Sequence, residues 1–333
     1  MRTNIIYTKD CRHMDEVPDG SVQLIVTSPP YNVGKPYDGH YDNMELEEYL
    51  AFLEECWREC IRVLCRGGRL CVNVASTGRK PYIPLHAYIA IQLIELGLEM
   101  RGEIIWDKGS SVGVSTAWGS FARASNPTLR DVHEYILVFS KETPQLLETH
   151  GAYSGIRNDQ FVEWTKSIWR FKTESSRRFD HPAVFPEELP RRLILLYTNV
   201  HDIVLDPFMG TGTTAVAALK LGRRYIGYEI SPTYVEIARQ RLEEARQQLE
   251  EEARLRRLRE EGVMKDHQYV LPGFEATPAF FDPYEDDERR AAVRRQIRRN
   301  GRKESIPTGL AGHGREIAGR KIEKTNTIEA NSR

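Results

Sequence analysis

Two short runs in this chain combine residue types that are better suited to chemistry than to packing. The first is Thr27-Ser28-Pro29-Pro30-Tyr31-Asn32. An oxygen at Ser28 and the carbonyl of Pro29 offer two adjacent hydrogen-bond acceptors. Proline at 29 and 30 stiffens the run and removes the backbone donors that would compete. Such a pair suits an exocyclic amine on a cytosine or adenine ring. That nitrogen is a poor nucleophile, because its lone pair is conjugated with the ring. Donating both N–H bonds to Ser28 and Pro29 favours a more tetrahedral nitrogen and frees the lone pair for attack. Tyr31 adds a flat face on which a base extruded from a duplex can stack.

The second run is Asp206-Pro207-Phe208-Met209-Gly210-Thr211-Gly212-Thr213-Thr214. Its glycines permit a tight turn and close approach of backbone to a ligand. Glu229 follows about twenty residues on, where a carboxylate can accept hydrogen bonds from ribose hydroxyls. The spacing fits a nucleoside cofactor. The third glycine of the dinucleotide fingerprint is absent and no pyrophosphate cradle is evident, so a nicotinamide enzyme is disfavoured.

Both runs need strands that end in turns, and the pattern supplies them. Val22 to Thr27 is a short buried strand that stops at the proline pair. A helix follows from about Glu45 to Leu64, with apolar positions at Leu46, Tyr49, Leu53, Cys56, Trp57, Cys60 and Ile61. Gly67-Gly68 is expected to end that unit before a strand at Arg69 to Val74. A helix near 85–96, strands near 99–106 and 133–140, and a helix from Glu187 to about Tyr197 come next. Then come a strand at 202–205, the glycine turn, a helix at 213–221, a strand at 224–228 and a long helix from Pro232. Strands alternating with helices predict an α/β doubly wound sheet of Rossmann-like type. Apolar residues at Val235, Ala238, Leu242, Ala245 and Leu249 predict that the last helix packs on the sheet through its first half. Two polar stretches, 107–131 and 143–180, interrupt the alternation and read as long loops.

Taken together, these motifs resemble the amino-methyltransferases of DNA. Ser-Pro-Pro-Tyr precedes the Phe-x-Gly-x-Gly motif here, an order that resembles the circularly permuted β class. The resemblance runs from about Asn4 to Gln247 and includes Trp118-Gly119-Ser120, His133-Glu134-Tyr135 and His181-Pro182-Ala183-Val184-Phe185-Pro186. It implies S-adenosyl-L-methionine as cofactor and Ser28, Pro29, Pro30 and Tyr31 as the catalytic loop. It also implies that Asp206, Phe208, Gly210, Gly212 and Thr213 line the cofactor pocket, with Glu229 on the ribose. Asp10 is expected on the adenine side, and Phe185 and Pro186 at the methionine end. Ser at the first motif position resembles the cytosine-N4 enzymes, so cytosine N4 in double-stranded DNA is the favoured target, in a restriction–modification setting. Adenine N6 is the alternative.

On this basis residues 1–262 form the catalytic domain and 263–333 an irregular, basic extension. Residues 143–180, with Arg157, Lys166, Arg170, Lys172, Arg177 and Arg178 among aromatics, take the position of a target-recognition segment. Arg289 to Lys303 holds eight basic residues and no acid, a composition able to meet phosphate. A homodimer and a separately acting restriction endonuclease are compatible with the sequence as further partners.

Other activities fit less well. Methylation at cytosine C5 needs a cysteine that in that family follows proline, and no Pro-Cys dipeptide occurs. Protein-glutamine methyltransferases share the Pro-Pro-Tyr loop but place the cofactor motif first. A nucleic-acid-binding protein that has lost catalysis would not need both runs intact. With 40% hydrophobic and 29% charged residues and a net charge of −1, the 333-residue chain can build a core. It has no apolar run long enough to span a membrane and no signal-peptide pattern, so a cytoplasmic location is expected. The five cysteines are an odd, early cluster that reads as buried thiols, and no metal is expected.

Overall fold

The structure, a computed structural model, describes residues 1–32, 36–37, 40–41, 44–76, 82–109, 124–127, 129, 131–173 and 185–260. Trp118-Gly119-Ser120, residues 181–184, Arg177, Arg178 and the expected extension from 263 lie outside the described residues.

Eight strands form one sheet. Five are parallel: β1 (Ile5–Tyr7), β10 (Arg224–Tyr228), β9 (Ile203–Asp206), β2 (Val22–Thr27) and β5 (Leu64–Val74), side by side in that order. Beyond β5 come β7 (His133–Lys141), antiparallel to both neighbours, then β6 (Leu98–Asp107) and β8 (Ile168–Arg170). A separate two-strand ladder joins β3 (Pro36–Tyr37) to β4 (His40–Tyr41).

Alternation along β2 divides the core. Leu24 and Val26 point to one face, where they meet α4 (Glu188–Tyr197), α5 (Thr213–Lys220) and α6 (Pro232–Glu260). Ile25 points to the other, against α1 (Leu46–Val63) and α2 (Leu85–Glu95). Helices on both faces explain why β2 and β9 are buried along their whole length. Val235, Ala238, Leu242 and Ala245 of α6 are buried against the sheet, through the first half of that helix.

Two expectations need correction. Gly67-Gly68 lies inside β5, which already starts at Leu64. The register against β2 jumps there, from Val22 opposite Leu64 to Leu24 opposite Arg69, so the extra residues form a bulge. Gly67 has φ +76°, and a Cβ on it would sit 1.7 Å from the Gln145 carbonyl oxygen. Only glycine lets the chain after β7 pass so close. The 143–180 stretch is not wholly a loop either. It contains α3 (Asn158–Trp164) and β8, which extends the sheet by pairing with β6. Among the described residues, no helix is long and apolar enough to cross a membrane.

Candidate active site

β2 and β9 are neighbours, and their carboxyl ends carry the two runs singled out above. In a doubly wound sheet that edge is where ligands bind. Here it opens into a cavity of about 170 Å³. Ser28, Pro29, Pro30 and Tyr31 line one side, and Phe208, Gly210 and Thr213 line another. Asp10, Phe185 and Glu229 complete the wall. Two motifs far apart in the chain therefore face one space.

The glycine turn is organised from below. Glu229 Oε2 accepts from the Gly210 amide at 2.8 Å, and its Oε1 accepts from the Ser231 amide at 2.9 Å. Gly210 and Gly212 have φ +51° and +83°, left-handed values that favour glycine. Three residues expected to line the cavity do not. Gly212 packs on α6, where a Cβ would lie 2.8 Å from the Ala238 Cβ. Pro186 is buried beside the start of α4. Asp206 is fully buried, accepting from Thr27 Oγ1 (2.8 Å), Thr214 Oγ1 (2.7 Å) and the Phe208 amide (3.0 Å). Burial pushes its carboxyl up to about 6, although those three hydrogen bonds pull it down.

At the far end, Asp10 accepts from the Arg12 amide at 2.9 Å and from the Arg12 guanidinium at 2.8 Å. Burial pushes the Asp10 carboxyl up, but the hydrogen bonds and charge of Arg12 outweigh it and hold it below its ordinary value. The Arg12 guanidinium also lies 5.5 Å from the centre of the Phe52 ring, which sits 6.2 Å from the Phe208 ring. Phe52 is a cavity residue that sequence reasoning missed, because it lies on a helix that reads as plain core.

The proline loop is held rigidly. Tyr49 donates to the Pro30 carbonyl at 2.5 Å. Asn32, at φ +55°, exchanges two 2.8 Å hydrogen bonds with the backbone of Met44. Ser28 Oγ lies 2.8 Å from the Tyr31 hydroxyl, which lies 3.1 Å from Glu134 Oε2. Asn73 Nδ2 donates to both, at 3.0 Å and 2.6 Å, and Lys108 Nζ reaches Glu134 Oε1 at 2.5 Å. Asn73, Lys108 and Glu134 carried no assigned role in the sequence. Glu134 stands in the resembling stretch His133-Glu134-Tyr135, and Asn73 in the resembling stretch Gly68-Arg69-Leu70-Cys71-Val72-Asn73-Val74.

Among the described aromatics of 143–180, Trp164, Trp169 and Phe171 are structural and Phe161 is exposed. Trp164 and Trp169 are buried, and the Trp169 indole donates to the Trp164 carbonyl at 3.0 Å. Arg192 of α4 lies over Trp164, Trp169 and Phe171 at about 5 Å from each ring centre. Stacking on DNA is closed to the two tryptophans by that burial. Arg157, Lys166 and Arg170 each pair with an acid at the surface, respectively Asp159, Glu163 and Asp107. The five cysteines are buried and free, with Cys11 and Cys56 sulfurs 3.5 Å apart.

Comparison with known proteins identifies the family. Residues 22–240 match the family model for N6/N4 methyltransferases, described as DNA methylase. The type II methyltransferase M.MthZI of Methanothermobacter thermautotrophicus is 32% identical over 274 residues, covering 73% of this chain and 77% of that protein. The DNA adenine methyltransferase YhdJ of Escherichia coli is 31% identical over 251 residues, covering 72% and 82%. Among solved structures, TTHA0409 of Thermus thermophilus, assigned as a DNA modification methylase and complexed with S-adenosyl-L-methionine, is 31% identical. It aligns with a TM-score of 0.58, covering 72% of this chain and 93% of its own. The chain belongs to the N6/N4 DNA methylase family, with the methyltransferase fold of that family.

Proposed function

We propose that this DNA methylase is a β-class enzyme that transfers the methyl group of S-adenosyl-L-methionine to the exocyclic N4 of cytosine in double-stranded DNA. The observation that carries the proposal is the shared cavity, in which the Ser28–Tyr31 loop faces Phe208, Gly210 and Glu229. The motif order, with Ser28 ahead of Asp206, supports the β class.

The lining fits the cofactor. Glu229 and Asp10 are acceptors for ribose and adenine donors, while Phe208 and Phe185 offer apolar surface. When bound, S-adenosyl-L-methionine supplies a methyl group already activated by its sulfonium, and the mechanism asks for no metal. The protein supplies position and acceptors. Ser28 Oγ and the Pro29 carbonyl accept the two N–H bonds of the amine, and the Tyr31 ring supports the extruded base. The Tyr49 and Asn32 hydrogen bonds keep that loop in place before substrate arrives.

Serine at position 28 resembles the cytosine-N4 enzymes, and that resemblance supports cytosine as the target. Adenine N6 is the second reading, supported by the similarity to YhdJ. The similarity to M.MthZI, a type II methyltransferase, supports a restriction–modification setting with a separate endonuclease. Product analysis tests the proposal. Purified protein is incubated with unmethylated genomic DNA and labelled S-adenosyl-L-methionine, and the digested nucleosides are identified by mass spectrometry. N4-methylcytosine is expected. N6-methyladenine would keep the fold and chemistry and overturn the choice of base.

A further inference from the structure

We propose that Glu134, acting through Tyr31, makes Ser28 a hydrogen-bond acceptor and receives the proton that the amine releases. The inference rests on amine methylation as proposed above and extends it to a residue outside the proline loop.

A serine hydroxyl can donate or accept, so Ser28 alone does not define its role. The surrounding hydrogen bonds do. Glu134 is the second residue of β7, and its side chain is only 12% exposed. Its Oε1 faces the Lys108 ammonium and its Oε2 faces the Asn73 amide nitrogen. Both groups only donate, so the carboxylate only accepts. The reverse Asn73 amide orientation would set an oxygen against that carboxylate. The present one leaves Asn73 Oδ1 buried without a partner among the described residues. Asn73 thus forgoes a hydrogen bond of its own to keep both donations.

The Tyr31 hydroxyl, 3.1 Å from Glu134 Oε2, must donate to it. Its single proton is then committed, so its oxygen accepts from Asn73 at 3.0 Å and from Ser28 at 2.8 Å. Ser28 is left with lone pairs to offer the cavity. A carboxylate two hydrogen bonds away thereby sets the polarity of the group that meets the amine.

The same chain conducts a proton. As the nitrogen's bond to the methyl carbon forms, the sulfonium's bond to that carbon breaks, and the nitrogen carries one proton too many. That proton passes to Ser28 Oγ, the Ser28 proton to the Tyr31 oxygen, and the Tyr31 proton to Glu134 Oε2. One positive charge on sulfur and one negative charge on Glu134 are lost together, leaving a neutral thioether, amine and acid.

The test is single-turnover methylation of unmethylated genomic DNA by the full chain, by Glu134→Gln, by Tyr31→Phe and by the double variant. Tyr31→Phe keeps the ring for stacking and removes only the hydroxyl, so it guards against a folding defect in Glu134→Gln. Each single variant is expected to lose about 100-fold in rate. The double variant is expected to lose no more than the worse single one, since both break one chain. Dissociation constants for S-adenosyl-L-methionine and for DNA, measured separately, should change by less than about twofold. A wild-type rate in Glu134→Gln, or losses that multiply in the double variant, would overturn the inference alone. A wild-type digest without any labelled amine-methylated base would overturn the reading beneath it, and the inference with it.

Discussion

Thr27 at the end of β2 and Asp206 at the end of β9 stand 179 positions apart in sequence and meet through a 2.8 Å hydrogen bond. Asp206 also accepts from Thr214, the second residue of α5, and from the amide of Phe208 in the glycine turn. One buried carboxylate therefore joins the strand that carries the proline loop to the turn that lines the cofactor side of the cavity. Its work is to hold the two halves of the site in register.

That placement has a pH signature. The Asp206 carboxyl rises from 3.8 to about 6 on folding, first because it is buried. Between those values the native chain keeps a proton that the unfolded chain has released. The contribution of this group to stability thus falls as pH rises through the window. Above it, the buried charge costs about 3 kcal/mol relative to a group with an unchanged value. Asp206→Asn keeps the shape and abolishes the titration. Urea unfolding of both proteins from pH 4 to pH 7 should show the variant gaining on the wild type as pH rises. A difference that stays constant across this range would contradict the assignment.

Local chemistry was legible in the sequence where neighbours in the chain are neighbours in the site. Ser28 to Tyr31 and Phe208 to Gly210 are such runs, and the short apolar strands that precede them, closed by turn residues, placed both at strand ends. Glu134 was not legible, since its partners Tyr31, Asn73 and Lys108 come from other strand ends and only the strand order β2-β5-β7-β6 brings them together. Asp206 was misplaced for the opposite reason: a motif position says which residue matters, not whether it faces ligand or core. α3 and β8 escaped because seven- and three-residue elements are too short to show a period. Gly67-Gly68 looked like a terminator, because a bulge and a chain end both call for glycine.

The two sides of the cavity should separate experimentally. Ser28→Ala removes an acceptor from the amine, and Tyr31→Ala removes the stacking face. Both are expected to cut turnover by about 100-fold or more while leaving most cofactor affinity intact. Glu229→Ala removes the carboxylate that holds the Gly210 and Ser231 amides, and Gly210→Val forces a branched residue to φ +51°. Each of these should weaken S-adenosyl-L-methionine binding about tenfold or more, read by calorimetry. An unchanged rate in Ser28→Ala would remove that hydroxyl from the mechanism.

Trp169 distinguishes a structural from a DNA-contacting role for its segment. It is 1% exposed and packed against Arg192, so truncation empties a buried site. Trp169→Ala is expected to lower unfolding free energy by about 3–5 kcal/mol in denaturant titrations. The exposed Lys172, three residues on, should tolerate Lys172→Ala with stability changed by less than about 0.5 kcal/mol. Full stability in Trp169→Ala would mean that the segment does not belong to the core.

Gly212 tests how tightly the glycine turn is pressed against α6. Its φ of +83° is a left-handed value, and a Cβ there would come within 2.8 Å of the Ala238 Cβ. Gly212→Ala therefore meets two penalties: about 1–3 kcal/mol from the clash and about 1 kcal/mol or more from the backbone. Ala238→Gly would remove the clashing methyl at a helix-propensity cost of about 1 kcal/mol, and would leave the backbone strain untouched. Combining the two changes should restore part of the stability lost in Gly212→Ala, but never all of it. Thermal unfolding of the two single variants and the double variant measures the coupling directly. Simple additivity would show that the turn does not rest on Ala238, and full recovery would show that φ at 212 carries no strain.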